Sequence, residues 1–219
     1  MRSIFATTAL LLLATTAFAE RQGAHQFQSE APGGGVRRVV IAIPAGSLKV
    51  RNGDSEAIRV TGTARRGYDD WPEREQKIVD DTSAEVYVNR DEAVVRRRFG
   101  VNAQGWRAQR FTSFDLTIEV PRGTTLIFET SYGEVDIHGS FGDVDVALRA
   151  GDLTFTAPRA EIRDLSASSR VGAVTTNFGE EIVQRQGLLP GTTNFFNAEG
   201  KRKVHLHVTA GNVLVTLTK

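Results

Sequence analysis

The chain contains no cysteine. That excludes a disulfide, a thiolate nucleophile, a cysteine-ligated metal and the cysteine through which an exported bacterial protein is lipid-anchored. An excess of charge of one sign is missing as well: 27 basic residues face 26 acidic ones. No global field therefore draws the protein to nucleic acid or to an anionic membrane, and any such attraction has to be local. Long apolar runs are also lacking. A membrane-spanning helix needs about 20 apolar residues, and runs such as Val39–Ile43 fall far short of it.

What is present begins with an address. Residues 1 to 19 carry Arg2, then an apolar stretch around Leu10 to Leu13, and end in Ala17-Phe18-Ala19 just before Glu20. Charge, apolar centre and small-x-small ending are the order of a cleaved secretory signal. Cleavage near Ala19 is expected to place the mature protein in the periplasm or outside the cell. Losing Arg2 leaves 26 basic against 26 acidic residues in 200, a length that suits one elongated domain or one domain with a substantial insertion.

From Glu20 to Gly35 the chain is polar and glycine-rich, ending in Pro32-Gly33-Gly34-Gly35, and is expected to be a flexible lead-in. Ordered structure is expected from Val36. Period-two patterns follow at Val39–Ile43, Leu48/Val50, Ile58–Thr63, Glu85–Val88, Ala93–Phe99 and Phe114–Val120, all read as strands. One short helix is expected over Trp71 to Asp81, where proline and acidic residues occupy the first turn.

After Ser131 the sequence repeats itself. Gly133-Glu-Val-Asp-Ile, Gly142-Asp-Val-Asp-Val and Gly151-Asp-Leu-Thr-Phe start nine residues apart. Glycines at 133, 151, 172, 191 and 211 are spaced by 18, 21, 19 and 20 residues, and a second set at 142, 179 and 200 lies between them, with a member missing near Glu161. A unit of about 20 residues cannot bury its own apolar face, but copies stacked in parallel about 4.8 Å apart can. This predicts columns of like side chains. The positions two after the first glycine set are Val135, Leu153, Val174, Thr193 and Val213, and those four after are Ile137, Phe155, Thr176, Phe195 and Val215. In the second set Val146, Leu165, Val183 and Val204 are expected to align. The fold class read from this is all-β, a parallel β-helix or β-solenoid with rungs of about 20 residues. Its N-terminal half, 36–120, is expected to be irregular and 121–219 regular, with the glycines turning corners at positive φ.

These segments, together with Gly46-Ser-Leu-Lys-Val and Gly211-Asn-Val-Leu-Val, resemble a bacterial family of exported β-strand-repeat proteins provisionally named adhesins, largely of unknown function. The resemblance covers roughly residues 36 to 219. It implies a single-stranded parallel β-helix and an envelope location, and it brings no catalytic residues.

Few constellations carry chemistry. Calcium rolls need paired glycines and an aspartate inside each turn, whereas Asp136 and Asp145 alternate with apolar strand residues. Polysaccharide cleavage needs carboxylates gathered on one face. Asp136 is followed in its column by Thr154, Thr175 and Asn194, and Asp143 and Asp152 sit where turns are capped. His205 and His207 share one strand face but lack a third ligand, with His25 placed in the lead-in and His138 elsewhere. The triplets Arg96-Arg97-Arg98 and Lys201-Arg202-Lys203 are split between the two faces of a strand. The loop between Phe99 and Phe111 sets Trp106 beside Arg107 and Arg110. A ring with flanking guanidiniums suits sugar or peptide recognition, and equally a cap on the end of a stack.

The residues therefore point to a non-catalytic exported envelope protein. It is expected either to bind an envelope polysaccharide or a protein, through Trp106, Arg107 and Arg110, or to act structurally, with no cofactor, metal or nucleic acid. A carbohydrate-active enzyme on a β-helix scaffold is the alternative.

Overall fold

The computed structural model describes residues 24–66, 73–100, 112–178, 182–185 and 191–219. Residues 1–19, read as a secretory signal, and the 101–111 loop with Trp106, Arg107 and Arg110 lie outside the described residues.

The protein is built from β1 (Ala24–Pro32), β2 (Arg38–Ala42), β3 (Ala45–Asn52), β4 (Ala57–Arg66), β5 (Thr82–Asn89), β6 (Glu92–Phe99) and β7 (Thr112–Val120). Then come β8 (Thr125–His138), β9 (Val144–Ala150), β10 (Leu153–Pro158), β11 (Ile162–Val171), β12 (Val174–Asn177), β13 (Ile182–Arg185), β14 (Gly191–Phe196), β15 (Arg202–Ala210) and β16 (Val213–Thr218). They form one mixed 16-stranded sheet. The helix α1 spans Glu73–Asp80; Val79 is buried, and Thr82 Oγ1 donates to the Ile78 carbonyl at 2.6 Å, closing its C-terminal end. Among the described residues no helix is long and apolar enough to cross a membrane.

Two parallel stacks run through the sheet, joined by the long strand β8. In one, β2, β8, β9, β15 and β11 pair side by side. In the other, β7, β3, β8, β10, β16 and β12 do so. Each of five chain segments thus supplies one strand to each stack and bends between them at a glycine: 46, 133, 151, 211 or 172. All five have φ between 129° and 145°, a region closed to residues with a Cβ. Each also stands against the backbone of the next: a Cβ added to Gly151 would lie 1.8 Å from the Gly133 oxygen, and one added to Gly211 would lie 1.9 Å from the Gly151 oxygen.

The bend solves a phase problem. A strand alternates faces strictly, so a sheet that turns a corner must switch phase to keep its apolar side inward. In β8 the buried residues are Leu126, Phe128 and Thr130 before the corner, then Val135 and Ile137 after it. Even positions give way to odd ones across Gly133. The same switch separates Val144, Val146 and Leu148 from Leu153 and Phe155, and Val204, Leu206 and Val208 from Val213 and Val215. Both arms therefore feed one continuous apolar core.

The buried column expected two residues after the glycines is present: Val135, Leu153, Val213 and Val174 lie in register, all nearly inaccessible. It extends to Leu48 and Leu116, so residues 45–52 form a regular rung inside the half expected to be irregular. The order of stacking is not the order of the chain, because 202–218 is inserted between 144–158 and 162–177. Several expectations are corrected. Gly191, Thr193 and Phe195 leave the column, since β14 runs antiparallel along β11; Gly191 has a glycine's spacing but not the positive φ of a corner. In the second set Val204 pairs with Val144, and Leu165 with Val204, so both share the register of Val144 and not of Val146. Val146 is two residues further on and shares its face, a slip that the period-two pattern cannot detect. Where a glycine was missing near Glu161, a single 3-10 turn spans Arg159–Glu161.

The flexible lead-in is also corrected from Ala24 onward. β1 pairs antiparallel with β4 along its whole length. Its polar composition hides an alternation in which Phe27 turns inward to meet Phe114 edge to face, centroids 6.1 Å apart, while Gln26, Gln28 and Glu30 stay outside.

Candidate functional site

With the core filled by inward residues, binding chemistry is left to the outer faces. On the arm formed by β1, β4, β7, β3 and β8, outward side chains make rows across the strands. One row is Gln26, Thr63, Asp115, Ser47 and Glu134, and the next is Gln28, Thr61, Thr117 and Lys49. Between them lies an open groove of about 990 Å³, floored in part by Gly62. A Cβ at Gly62 would lie 2.2 Å from the Asp115 oxygen, so glycine is what lets β4 close on β7.

A further row bounds the groove. Arg59 donates to Glu30 at 3.0 Å and to Glu119 at 3.2 Å, and Arg51 donates to Glu119 at 2.7 Å. The hydrogen bond that Arg59 donates to Glu30, and the charge of that carboxylate, hold the Arg59 pKa above its ordinary value. Inside the groove Asp115 is paired with Arg65 at 2.5 Å, whereas Lys49 and Glu134 form no ion pair with a described residue. Six of the twelve lining residues are Gln, Ser or Thr, whose amides and hydroxyls both donate and accept hydrogen bonds, and Phe27, Gly62 and Leu116 add apolar surface.

Across the corner, on the other arm, a smaller recess of about 340 Å³ opens over Ala147 and Arg149. Ala147 stands between Glu129 and His207 in register, and its short side chain leaves the gap. Ser131 and Thr209 flank Arg149. His207 Nδ1 lies 3.0 Å from Ser168 Oγ, which fixes the ring's orientation. Between groove and recess stands Tyr132, 57% exposed. Its neighbours in register are Ala45 and Ala150, too small to cover the ring.

The other sequence candidates are placed as follows. His205 and His207 do share an exposed face, next to Asp145 at the neighbouring register position, and no group of three or more metal-ligating side chains assembles among the described residues. Asp143 accepts from the Lys203 amide at 2.8 Å, and Asp152 from the Asn212 amide at 2.9 Å. Asn212 Oδ1 in turn accepts from the Ala173 amide at 3.1 Å, so these side chains cap the adjoining strand rather than solvate freely. The basic triplets are split. Arg96 and Arg98 face Glu85 at 2.9 and 3.9 Å. Arg97 turns inward over the Phe99 ring, 4.0 Å from its centroid, where burial pushes its pKa down to about 10. Arg202 pairs with Glu161 at 2.7 Å, Lys201 and Lys203 remaining exposed.

Sequence reasoning kept the carboxylates apart, but pairing brings Asp152 beside Glu134, with Asp136 on the same face of β8. It also missed Tyr132. The signal was available: aligned on the corner glycines, the preceding residues are Ala45, Tyr132, Ala150, Val171 and Ala210, a single aromatic in a column of aliphatic residues.

Compared by sequence, the chain matches no family model and no curated protein. Sequence comparison identifies no family. In structure it is similar to a protein of Clostridium sporogenes provisionally described as a cell adhesion protein, at 12% identity and a TM-score of 0.44, over 89% of this chain and 100% of that one. It is also similar to a Parabacteroides distasonis protein provisionally described as lipid binding and to a Parabacteroides merdae protein provisionally described as an adhesin. Both are 7% identical over 89% of this chain and 97% of theirs, with TM-scores of 0.28 and 0.25.

Proposed function

We propose that this is an exported, non-catalytic cell-envelope protein of the adhesin type, a β-solenoid-like stack that presents its outer faces to a surface polymer or protein partner. The observation that carries the reading is the 990 Å³ groove. Its lining is rich in Gln, Ser and Thr, which suits a hydroxyl-rich or backbone-like ligand lying along the strand rows. The open shape matches an extended chain better than a small substrate that must be enclosed. A glycan array probed with residues 20–219 tests it: binding that Gln28→Ala combined with Thr61→Ala weakens supports the reading, and no binding to any glycan or to purified envelope material removes it. Export is checked by N-terminal sequencing of protein recovered outside the cytoplasm, which should start at Glu20.

The second reading, a carbohydrate-active enzyme, draws on the adjacency of Glu134 and Asp152, since retaining glycosidases hold two carboxyls about 5 Å apart. Against it, Asp152 Oδ1 is engaged by both nitrogens of Asn212, and both carboxylates stand on an exposed face where nothing excludes water from a reacting bond. Release of reducing ends from a bound polysaccharide that Glu134→Gln abolishes would favour the enzyme.

A further inference from the structure

We infer that the groove, Tyr132 and the recess over Ala147 form one continuous track for a neutral polysaccharide, with Tyr132 as the ring on which a sugar stacks where the polymer crosses the corner. This rests on the binding reading above and names the class of polymer and the residue at its centre.

Continuity is written in β8. Glu129 and Ser131 line the recess, Glu134 lines the groove, and Tyr132 stands between them on the same strand. Residue 132 stands at the corner between the two arms, so a polymer that runs from the groove to the recess along β8 passes over it. At that point the other corner residues are small or aliphatic, and Ala45 and Ala150 on either side leave the phenol ring bare. An exposed aromatic face flanked by low ground is the shape on which the C–H face of a sugar ring lies, and its hydroxyl adds a hydrogen bond at the edge.

Charge decides the polymer class. Each recess holds one cation and one carboxylate without an ion-pair partner among the described residues: Lys49 and Glu134 in the groove, Arg149 and Glu129 over Ala147. Asp136 beside Lys49 and Asp152 beside Glu134 add two further carboxylates on the same face, so the track has no cationic excess and a polyanion does not gain from it over its whole length. A neutral chain of hydroxyls does, because carboxylates accept and guanidinium, ammonium and imidazole donate. Ser131 and Thr209 beside Arg149 do either. The recess, at about 340 Å³, is at the small end of ligand sites and suits about one sugar unit. Each subsite alone is weak, and affinity comes from filling both at once.

The test uses residues 20–219 with a soluble linear neutral glucan and with polygalacturonate, measured by calorimetry and affinity electrophoresis. Binding to the glucan is expected to be unchanged between about 50 and 500 mM salt, since no net charge is screened. Tyr132→Ala is expected to weaken it roughly tenfold while Tyr132→Phe stays within about twofold, as ring truncations at binding centres do, and neither changes the melting temperature of a residue this exposed. Lys49→Ala and Arg149→Ala should each weaken the polymer, whereas an oligosaccharide long enough for one recess should respond to one of them only. Tyr132→Ala binding as well as wild type overturns the track. Salt-sensitive binding to polygalacturonate alone overturns the neutral polymer. Wild type that binds purified envelope material but neither polysaccharide overturns the inference and leaves the binding reading standing; binding to none removes both.

Discussion

Replacing Gly151 by alanine puts a methyl group where the structure has another backbone. The new Cβ would sit 1.8 Å from the Gly133 oxygen and 2.7 Å from its carbonyl carbon, at φ 132°. Both costs are fixed by the stack. The dihedral alone is worth about 1–3 kcal/mol for a residue with a side chain. The contact adds to this because it is with backbone held on both sides by parallel pairing, so relief requires the rungs to part and several hydrogen bonds to lengthen. Alanine recovers about 0.4–1 kcal/mol by restricting the unfolded chain. The net loss should be at least about 3 kcal/mol, which for a chain of this size lowers the melting temperature by roughly 6–12 °C. Gly123 is the control: it has φ 75° and nothing within 4 Å of an added Cβ, so Gly123→Ala should cost about 1–2 kcal/mol. Urea unfolding of the two variants beside wild type measures the difference. Equal losses would refute the close-packed glycine column.

Three further outcomes can be checked. Leu153→Ala removes a side chain buried in the central column and should cost about 2–5 kcal/mol in the same assay; a change near zero would put it on the surface. Asp152→Ala should speed hydrogen exchange at the Asn212 amide, corresponding to a local loss of up to about 1 kcal/mol, and leave the Gly211 amide, which is bonded to the Val171 carbonyl, as protected as before. Trp106→Ala should lower the melting temperature without altering binding per folded molecule if that residue caps the stack. If it recognises the ligand, the substitution should weaken binding at unchanged melting temperature, and Arg107→Ala and Arg110→Ala should follow it.

Much of the fold was legible because burial follows period two and the corner follows glycine. Leu153 and Val213 could be placed in one column from spacing alone, since each stands two residues after a glycine that no other residue can replace. What spacing could not supply was order. Residues 162–177 and 202–218 carry equivalent patterns, and nothing local distinguishes which of them lies against 144–158; the inward residues Leu206 and Ala167 are chemically interchangeable in that respect. Gly191 was misread for the same reason, as a glycine at the right interval without the backbone turn. β1 was misread because its outward half is so polar that composition outweighed the inward Phe27, Ser29 and Ala31. The candidate site was the least legible. It is made of single outward residues from seven strands, and only their pairing sets Lys49 beside Asp136 or leaves Ala147 as a gap between Glu129 and His207.

The insertion of the last rung is the claim on which the outer surfaces depend, and the absence of native cysteine allows it to be measured directly. Thr154 is paired in register with Leu214, and Leu214 with Thr175, all on the outer face. Cysteines at 154 and 214 would then be one strand apart, about 4.8 Å, and should oxidise readily to a disulfide. Cysteines at 154 and 175 would be two strands apart, about 9.6 Å, beyond what a disulfide can span. Crosslinking of 154 with 214 and not with 175, in folded protein, is the predicted result. Crosslinking of 154 with 175 and not with 214 would mean that the rungs stack in chain order, and would contradict the account.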